Sequence, residues 1–285
     1  MRLVSPASTP EEAGVARAVR RLEELGLRPS LGRHVFDRLG YLAGRDEDRL
    51  ADLNDAFRDP TVRAVIATRG GKGAYRIAGG LDFSAIRADP KLLVGFSEIT
   101  ILHLAIWHHA RVPGLHGACW DEGVPAESFA HAVLTAAPVV VAAQPEEPTA
   151  ALTTSGRARG ILLGGNLDMI AAAAGWTLPS LSGAILLIED VGKGLGHIDR
   201  HLTRLFNAGC LRGVVGVAVG QFTDCDTAEG WTVIDVLQDR LAHFGVPILG
   251  GLPLGHGTGA VAVPVGTAAV LDADRGTLSV EAASG

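Results

Sequence analysis

The nine residues LLVGFSEIT, 92–100, decide how the chain is read. Leu92 to Gly95 make a short apolar run, Phe96 and Ser97 follow, and the pattern then changes to the helix-like ITILHLAIWHHA. A strand that stops and a helix that starts at one serine form a strand–turn–helix unit. Such a turn lifts the hydroxyl out at the C-terminal edge of a sheet. It also leaves the next backbone N–H groups at a helix start, where they can hold an oxyanion. Gly95 eases the sharp turn, but Ile99 stands where a G-x-S-x-G elbow would carry its last glycine. The ordinary role of a serine here is to cap the helix that follows. This stretch alone leaves cap and nucleophile both open.

Outward from Ser97 the same alternation repeats. RLVSP reads as a strand, and PEEAGVARAVRRLEEL as an amphipathic helix with Val15, Val19, Leu22 and Leu25 on one face and Gly26 as its stop. A strand is expected near 29–36, a helix through Leu50, Leu53 and Phe57, and then the strand VRAVIAT running into RGGKG. Strands that alternate with helices and are apolar throughout predict an α/β fold with a parallel sheet covered on both faces. The texture changes at 121–158. DEGVPAESF is helix-like, while QPEEPTAALTTSGRARG is rich in Pro, Thr and charge. We place a linker there, between an N-terminal α/β domain, 1–120, and a C-terminal domain of mixed strands and helices, 159–285.

The 285 residues are 47% hydrophobic and 20% charged, with a formal net charge of −6 and no basic run, which excludes a nucleic-acid footprint. No run of about 18 uninterrupted apolar residues occurs, and MRLVSPASTPEEAG lacks the apolar core of a signal peptide, so a cytoplasmic protein without a membrane partner is expected. Cys119, Cys210 and Cys225 form no C-x-x-C pair, so neither a disulfide framework nor a zinc site is expected.

Other stretches carry possible chemistry. RGGKG, 69–73, offers backbone N–H groups for an anion or an oxyanion, or is merely a tight turn; it lacks the spacing of a P-loop. GGN, 164–166, after ILL invites the same two readings. Glu189 and Asp190 end the apolar run AILLI, where a carboxylate can orient a histidine or stand in solvent. His197 and His201 have metal-ligand spacing on a helix but no third ligand, and surface positions are expected for both. His103, His108 and His109 lie on the helix after Ser97, whereas His116 and His256 are expected in loops, from which a histidine can reach a neighbouring hydroxyl.

Taken in order, TRGGKGAYRI, LDFSAI, PKLLVGFSEIT, LHG, GGNLDMI, LLIEDVG, HIDRHLTRL and LPLGHG resemble the LD-carboxypeptidase family of serine peptidases over nearly the whole chain. The resemblance implies an N-terminal domain laid out like a class I glutamine amidotransferase and a C-terminal domain of mixed strands and helices. It implies Ser97 as nucleophile, Glu189 and His256 as the other triad members, and the backbone N–H groups of Gly71 and Glu98 as the oxyanion hole. Arg69 and Asn166 are the expected substrate-binding residues. No metal or other cofactor is implied, and a homodimer is expected.

The chain departs from the family pattern at several positions. Glu98 replaces an Asp, Lys72 an aromatic residue, Ala118 the Pro of an HGP, Lys193 a Glu and Gly196 an aromatic residue. The implied activity is removal of the terminal D-Ala from a muropeptide tetrapeptide. Alternatives are cleavage of an aminoacyl–nucleotide amide, as by microcin C immunity peptidases, and a catalytically idle binding protein on the same fold. A glutamine amidotransferase would need cysteine where Ser97 stands.

Overall fold

A computed structural model describes residues 1–118 and 126–283. The first part runs β1 (Arg2–Val4), α1 (Glu12–Glu24), β2 (Ser30–Leu31), α2 (Asp46–Arg58), β3 (Ala64–Ala67), α3 (Ala74–Ile77), α4 (Phe83–Ala88), β4 (Leu92–Gly95), α5 (Thr100–Ala110) and β5 (Gly114–His116). Then come α6 (Ala126–Leu134), β6 (Val139–Ala142), β7 (Arg157–Asn166), α7 (Leu167–Ala173), β8 (Ala184–Val191), α8 (Leu195–Asn207), β9 (Gly216–Thr223), α9 (Val233–Leu241) and β10 (Ile248–Leu249). β11 (Val263–Val265), β12 (Ala268–Asp272) and β13 (Thr277–Val280) close the chain.

Among the described residues the strands form two sheets, of order β11-β5-β4-β3-β1-β2 and β10-β9-β8-β7-β12-β13-β6. β1 to β5 are parallel, and the order 2-1-3-4-5 reverses direction between β1 and β3. In open α/β sheets ligands bind beyond the strand C-termini at such a reversal. The local reasons are plain in the sequence. β3 reads AVIA and is buried at every position, as a strand covered on both faces must be. α1 buries Val15, Ala18 and Leu22, then stops at Gly26 with φ 74°, where Leu27 N–H reaches back to the Leu22 carbonyl at 2.9 Å.

Two apolar layers hold the sheets. One contains Leu53, Phe57 and Ile86 from the first sheet's helices together with Leu167, Ile198, Leu202 and Leu237 from α7 to α9. The other contains Val15 and Leu22 of α1 with Leu187, Leu249, Leu254 and Val263. Each layer runs from one sheet into the other, so the halves are docked by continuous packing.

Three expectations change. The strand expected at 29–36 pairs only at Ser30 and Leu31, because the Asp52 carboxylate accepts the Arg33 and His34 N–H groups at 3.0 and 2.9 Å and draws the chain onto α2. The 121–158 segment, expected as a linker, supplies β6 at the edge of the second sheet and begins β7 at Arg157. Its Thr149 hydroxyl donates to the Gly220 carbonyl and accepts from Gly251 N–H, both at 3.0 Å, so the polar residues satisfy the sheet's backbone instead of forming a spacer. β11, from the expected C-terminal domain, pairs antiparallel with β5 in the first sheet. Cys119 lies outside the described residues; Cys210 and Cys225 are free thiols.

Gly164 on β7 tests this packing. Its φ is +126°, and a Cβ there would lie 2.1 Å from the Leu187 carbonyl oxygen on β8. Gly164→Ala is therefore expected to cost roughly 2 kcal/mol or more of unfolding free energy. Urea denaturation would show it as a lower midpoint, and an unchanged midpoint would contradict this reading of the β7–β8 contact.

Candidate active site

Ser97 has φ +61°, in the left-handed region a residue with a Cβ seldom enters. Phe96 before it is extended, Ser97–Ile99 form one 3₁₀ turn, and α5 follows from Thr100. Neither helical start receives a side-chain cap bond, so the capping role considered for Ser97 is not the one the fold uses. Strain of this kind, of order 1–3 kcal/mol, persists where surrounding structure dictates it and clusters at functional sites. Two glycines make room. A Cβ on Gly95 would meet the Ile99 side chain at 2.9 Å, and one on Gly70 would stand 3.0 Å from Ser97 Cβ and 3.2 Å from its Oγ.

The loop 69–73 is braced from two sides. Ser8 Oγ accepts the Lys72 N–H at 3.0 Å, and the Glu98 carboxylate accepts the Gly73 N–H at 2.7 Å. Glu98 is buried, and burial raises its pKa against the opposing pull of the Gly73, Tyr75 and Ala74 amides. Its side chain thus ties the residue after the serine to the glycine loop, a role that sequence reasoning, which used only its backbone, did not find. Gly71 has φ +104° and packs on Ser8, while Arg69 donates to the Thr9 carbonyl at 3.2 Å. Arg69, Gly70, Gly71, Ser97 and His256 line one hollow of about 350 Å³. It lies beyond the ends of β1 and β3, at the topological reversal.

His256 and Glu189 meet from the second sheet. The His256 Nδ1 to Glu189 Oε2 distance is 2.7 Å, and Glu189 is fully buried, not solvated. The β8–β9 register shifts between Ile188 and Asp190, an irregularity that re-aims Glu189. Gly255, where a Cβ would fall 2.8 Å from Glu189 Oε2, gives the carboxylate its space. Gln221, at the end of β9, accepts the Gly257 N–H at 2.8 Å and donates to Glu147 at 2.7 Å and to the Thr258 carbonyl at 3.2 Å. It fixes the histidine's loop; a buried glutamine closing the apolar run GVAVG was the signal to notice. The Phe96 ring packs on the imidazole of His256 with centroids 4.8 Å apart.

The remaining candidates fall elsewhere. Asn166 is buried and caps α7 by accepting the Met169 N–H at 3.3 Å, while its Nδ2 donates to Asp190 Oδ1 at 3.0 Å; it does not line the Ser97 hollow. Its N–H donates to Thr100 Oγ1 at 3.0 Å and so ties β7 to the start of α5. His197 is exposed, and His201 is not the surface residue expected but half-buried, with Nε2 3.4 Å from Asp168 Oδ1. The pair holds no metal cluster among the described residues. Lys193 also bonds Asp168, and Ala118 lines a second hollow of about 180 Å³ beside His256. Gly196 borders a separate surface hollow with Trp231.

His116 is not in a loop. It ends β5, paired with Gly95 and Val263, and its buried ring has no hydrogen-bond partner at either nitrogen. Burial lowers its pKa to about 3 and that of His103, whose Nε2 lies 3.2 Å from the Leu93 carbonyl, to about 4. Both rings are neutral in the fold.

A strained serine between strand and helix, a glycine loop beside it and a carboxylate-bound imidazole on the same hollow define a serine hydrolase site. Residues 1–117 match the LD-carboxypeptidase N-terminal domain and residues 159–271 the LD-carboxypeptidase C-terminal domain. The probable murein peptide carboxypeptidase of Bacillus subtilis (strain 168) is 35% identical over 98% of this chain and 91% of its own. The murein tetrapeptide carboxypeptidase of Pseudomonas aeruginosa is 34% identical over 96% of this chain and 93% of its own. The crystal structure of muramoyltetrapeptide carboxypeptidase from Oxalobacter formigenes superposes with a TM-score of 0.85 at 26% identity, covering 99% of both chains. The microcin C7 self-immunity protein MccF of Escherichia coli is 24% identical over 97% of this chain and 90% of its own. The chain belongs to the LD-carboxypeptidase family and is a serine peptidase.

Two predictions come from this geometry. Glu98→Gln keeps an oxygen for the Gly73 N–H, whereas Glu98→Ala leaves buried amides unpaired and is expected to cost about 1–3 kcal/mol of stability. Denaturation of both variants checks this, and equal losses would deny the carboxylate its bracing role. For His116 the unfolded chain binds a proton that the fold refuses between about pH 6.5 and about 3. The stability linked to that neutral ring is complete above the upper value and drains as pH falls. His116→Leu should therefore lose less stability than the parent between pH 7 and pH 4, and an identical pH profile would count against it.

Proposed function

We propose that the chain hydrolyses the terminal L,D-amide of a muropeptide tetrapeptide and releases D-Ala. The observation that carries this reading is the Glu189–His256 pair opening onto the hollow that holds the strained Ser97. Ser97 Oγ attacks the scissile carbonyl while His256 takes its proton at Nε2. Glu189, on Nδ1, fixes the tautomer and stabilises the imidazolium that forms. The N–H groups of Gly71 and Glu98 hold the carbonyl oxygen as it gains charge, a donor of this kind being worth about 2.7–4 kcal/mol in the transition state. His256 then gives its proton to the leaving amine, and D-Ala departs. Water, deprotonated by the same imidazole, cleaves the acyl-enzyme and regenerates Ser97. No step calls for a metal ion. Arg69 binds substrate in this reading; Asn166 serves indirectly, by orienting Asp190 and α7.

The substrate class rests on the murein peptide carboxypeptidases at 34–35% identity, set against 24% for MccF. An aminoacyl–nucleotide substrate would profit from an aromatic platform. Among the described residues lining the Ser97 hollow the aromatic side chain is Phe96, and it is already packed on His256. The glutamine amidotransferase-like layout belongs to the same reading, its support being the parallel strand order with a nucleophile turn after β4. A homodimer in the cytoplasm completes it. Among the described residues no helix is long and apolar enough to cross a membrane.

Incubation with L-Ala-γ-D-Glu-meso-diaminopimelate-D-Ala, followed by mass spectrometry, tests the reading. The parent should release D-Ala, and Ser97→Ala should lose on the order of a millionfold in kcat without losing its fold. Cleavage of an aminoacyl-sulfamoyl adenylate instead would move the chain to the immunity-type activity.

A further inference from the structure

We propose that Arg49, a buried residue of α2, is a positioning residue that sets the direction of the Gly71 N–H. This rests on the reading that the Gly71 N–H holds the carbonyl oxygen under attack. That N–H belongs to the peptide unit between Gly70 and Gly71. Neither flanking residue has a Cβ, so the unit can turn over at little steric cost. Its direction is set from its other end. The Gly70 carbonyl accepts the Ser8 N–H at 3.3 Å, and across a trans peptide the Gly71 N–H then points the opposite way. At 3.3 Å this is a long bond. It holds only while residues 6–8 and 70–73 are kept together.

Arg49 joins the same two segments. It is 1% exposed, and its Nη1 donates both to the carbonyl of Pro6, just beyond β1, and to that of Gly73, at 3.0 Å. Gly73 is thereby held at both its polar groups, the N–H by Glu98 and the carbonyl by Arg49. Two carbonyl oxygens drawn to one point repel each other unless a donor stands between them, and a charged donor opposes that repulsion most strongly. Nη2 donates to Asp46, which also receives Arg76 Nε at 2.8 Å, so the buried cation is paired and its fork oriented. There is no slack at the contact, since a Cβ on Gly73 would lie 3.1 Å from Nη1 and 2.3 Å from Leu42 Cδ2. Arg49 does not line the Ser97 hollow. It acts through the loop and not on the substrate, so its effect belongs to the transition state, where the oxygen gains charge.

Release of D-Ala from the tetrapeptide, with affinity measured by calorimetry on the same variants carrying Ser97→Ala, tests the assignment. Arg49→Met should lower kcat and kcat/KM alike by about 10- to 100-fold, short of the roughly 100- to 1,000-fold that goes with an entire oxyanion donor. Arg49→Lys keeps the charge without the fork and should recover part of that loss. Tetrapeptide affinity should change by less than about threefold in both, as for an interaction made only in the transition state. An unchanged kcat in either folded variant, or affinity falling in step with kcat, would overturn the proposal. Should Arg49→Met not fold, Arg49→Lys decides alone, its kcat below the parent at equal affinity. Failure of the parent to release D-Ala would instead strike the muropeptide reading. Arg49 is then judged by the rate at which a fluorophosphonate modifies Ser97 with loss of fluoride, read by intact mass, which needs the same N–H donors and no peptide. A rate equal to the parent's would overturn the proposal there.

Discussion

The hydrogen bond between Glu189 and His256 is the constraint around which the rest of the site is arranged. A fully buried carboxylate is costly unless a donor faces it. The fold must bring a donor to the end of β8, and it does so with the segment between β10 and β11. That segment leaves the second sheet after Leu249 and enters the first at Val263, pairing there with His116 on β5. His256 therefore rides on a bridge between the sheets. Because β5 lies beside β4, the same bridge fixes the imidazole near the strand end that presents Ser97. Gln221 holds the bridge midway through Gly257 and Thr258.

The first sheet solves a different problem. Ser97 must hold a left-handed φ while the chain turns sharply, and the glycine loop must keep its place beside it. Both demands are met locally: Gly70 and Gly95 remove the Cβ atoms that would collide, and Glu98 and Ser8 fasten the glycine loop. The Glu98 carboxylate sits one residue from Ser97 yet bonds the far side of the loop at Gly73. A shift in either element is thereby transmitted to the other. The Thr100 hydroxyl carries the coupling on to Asn166 at the end of β7.

Much of this could be read from the residues. The apolar runs at 64–67 and 184–188 and the α1 stripe follow from periodicity, because buried strands and amphipathic helices leave local patterns. The strand–serine–helix turn was also local. The room around Ser97 was not, since it depends on Gly70, a residue 27 positions away. Pairings are the least legible. Nothing in VPV says that Val263–Val265 belongs to the first sheet, and nothing in the polar 144–158 stretch says that its hydroxyls finish the backbone of the second. His116 misled because its Gly neighbour suggested a loop. The strand there is set by partners on both sides, and Gly165 leaves room for the buried ring, since a Cβ there would lie 2.9 Å from Nδ1.

The departures from the family pattern are best understood through charge. Lys193 replaces an acid, but its ammonium bonds Asp168, which raises its pKa despite half-burial, so its charge is spent inside the fold. Asp168 in turn faces His201, and Asp190 holds Asn166. Lys193 is thus the ammonium facing Asp168, and burial lowers the pKa of the His201 ring on the same carboxylate. Lys193 and Asp168 do not line the Ser97 hollow, which is walled on its other side by α1 and the loop after β3. The Ser97 hollow sits at the first sheet's topological reversal, and the second sheet brings the Glu189–His256 pair to it. Such a division keeps the Asp168–Lys193 contact apart from the hollow, while the place of His256 depends on the bridge keeping its anchors at Leu249 and Val263.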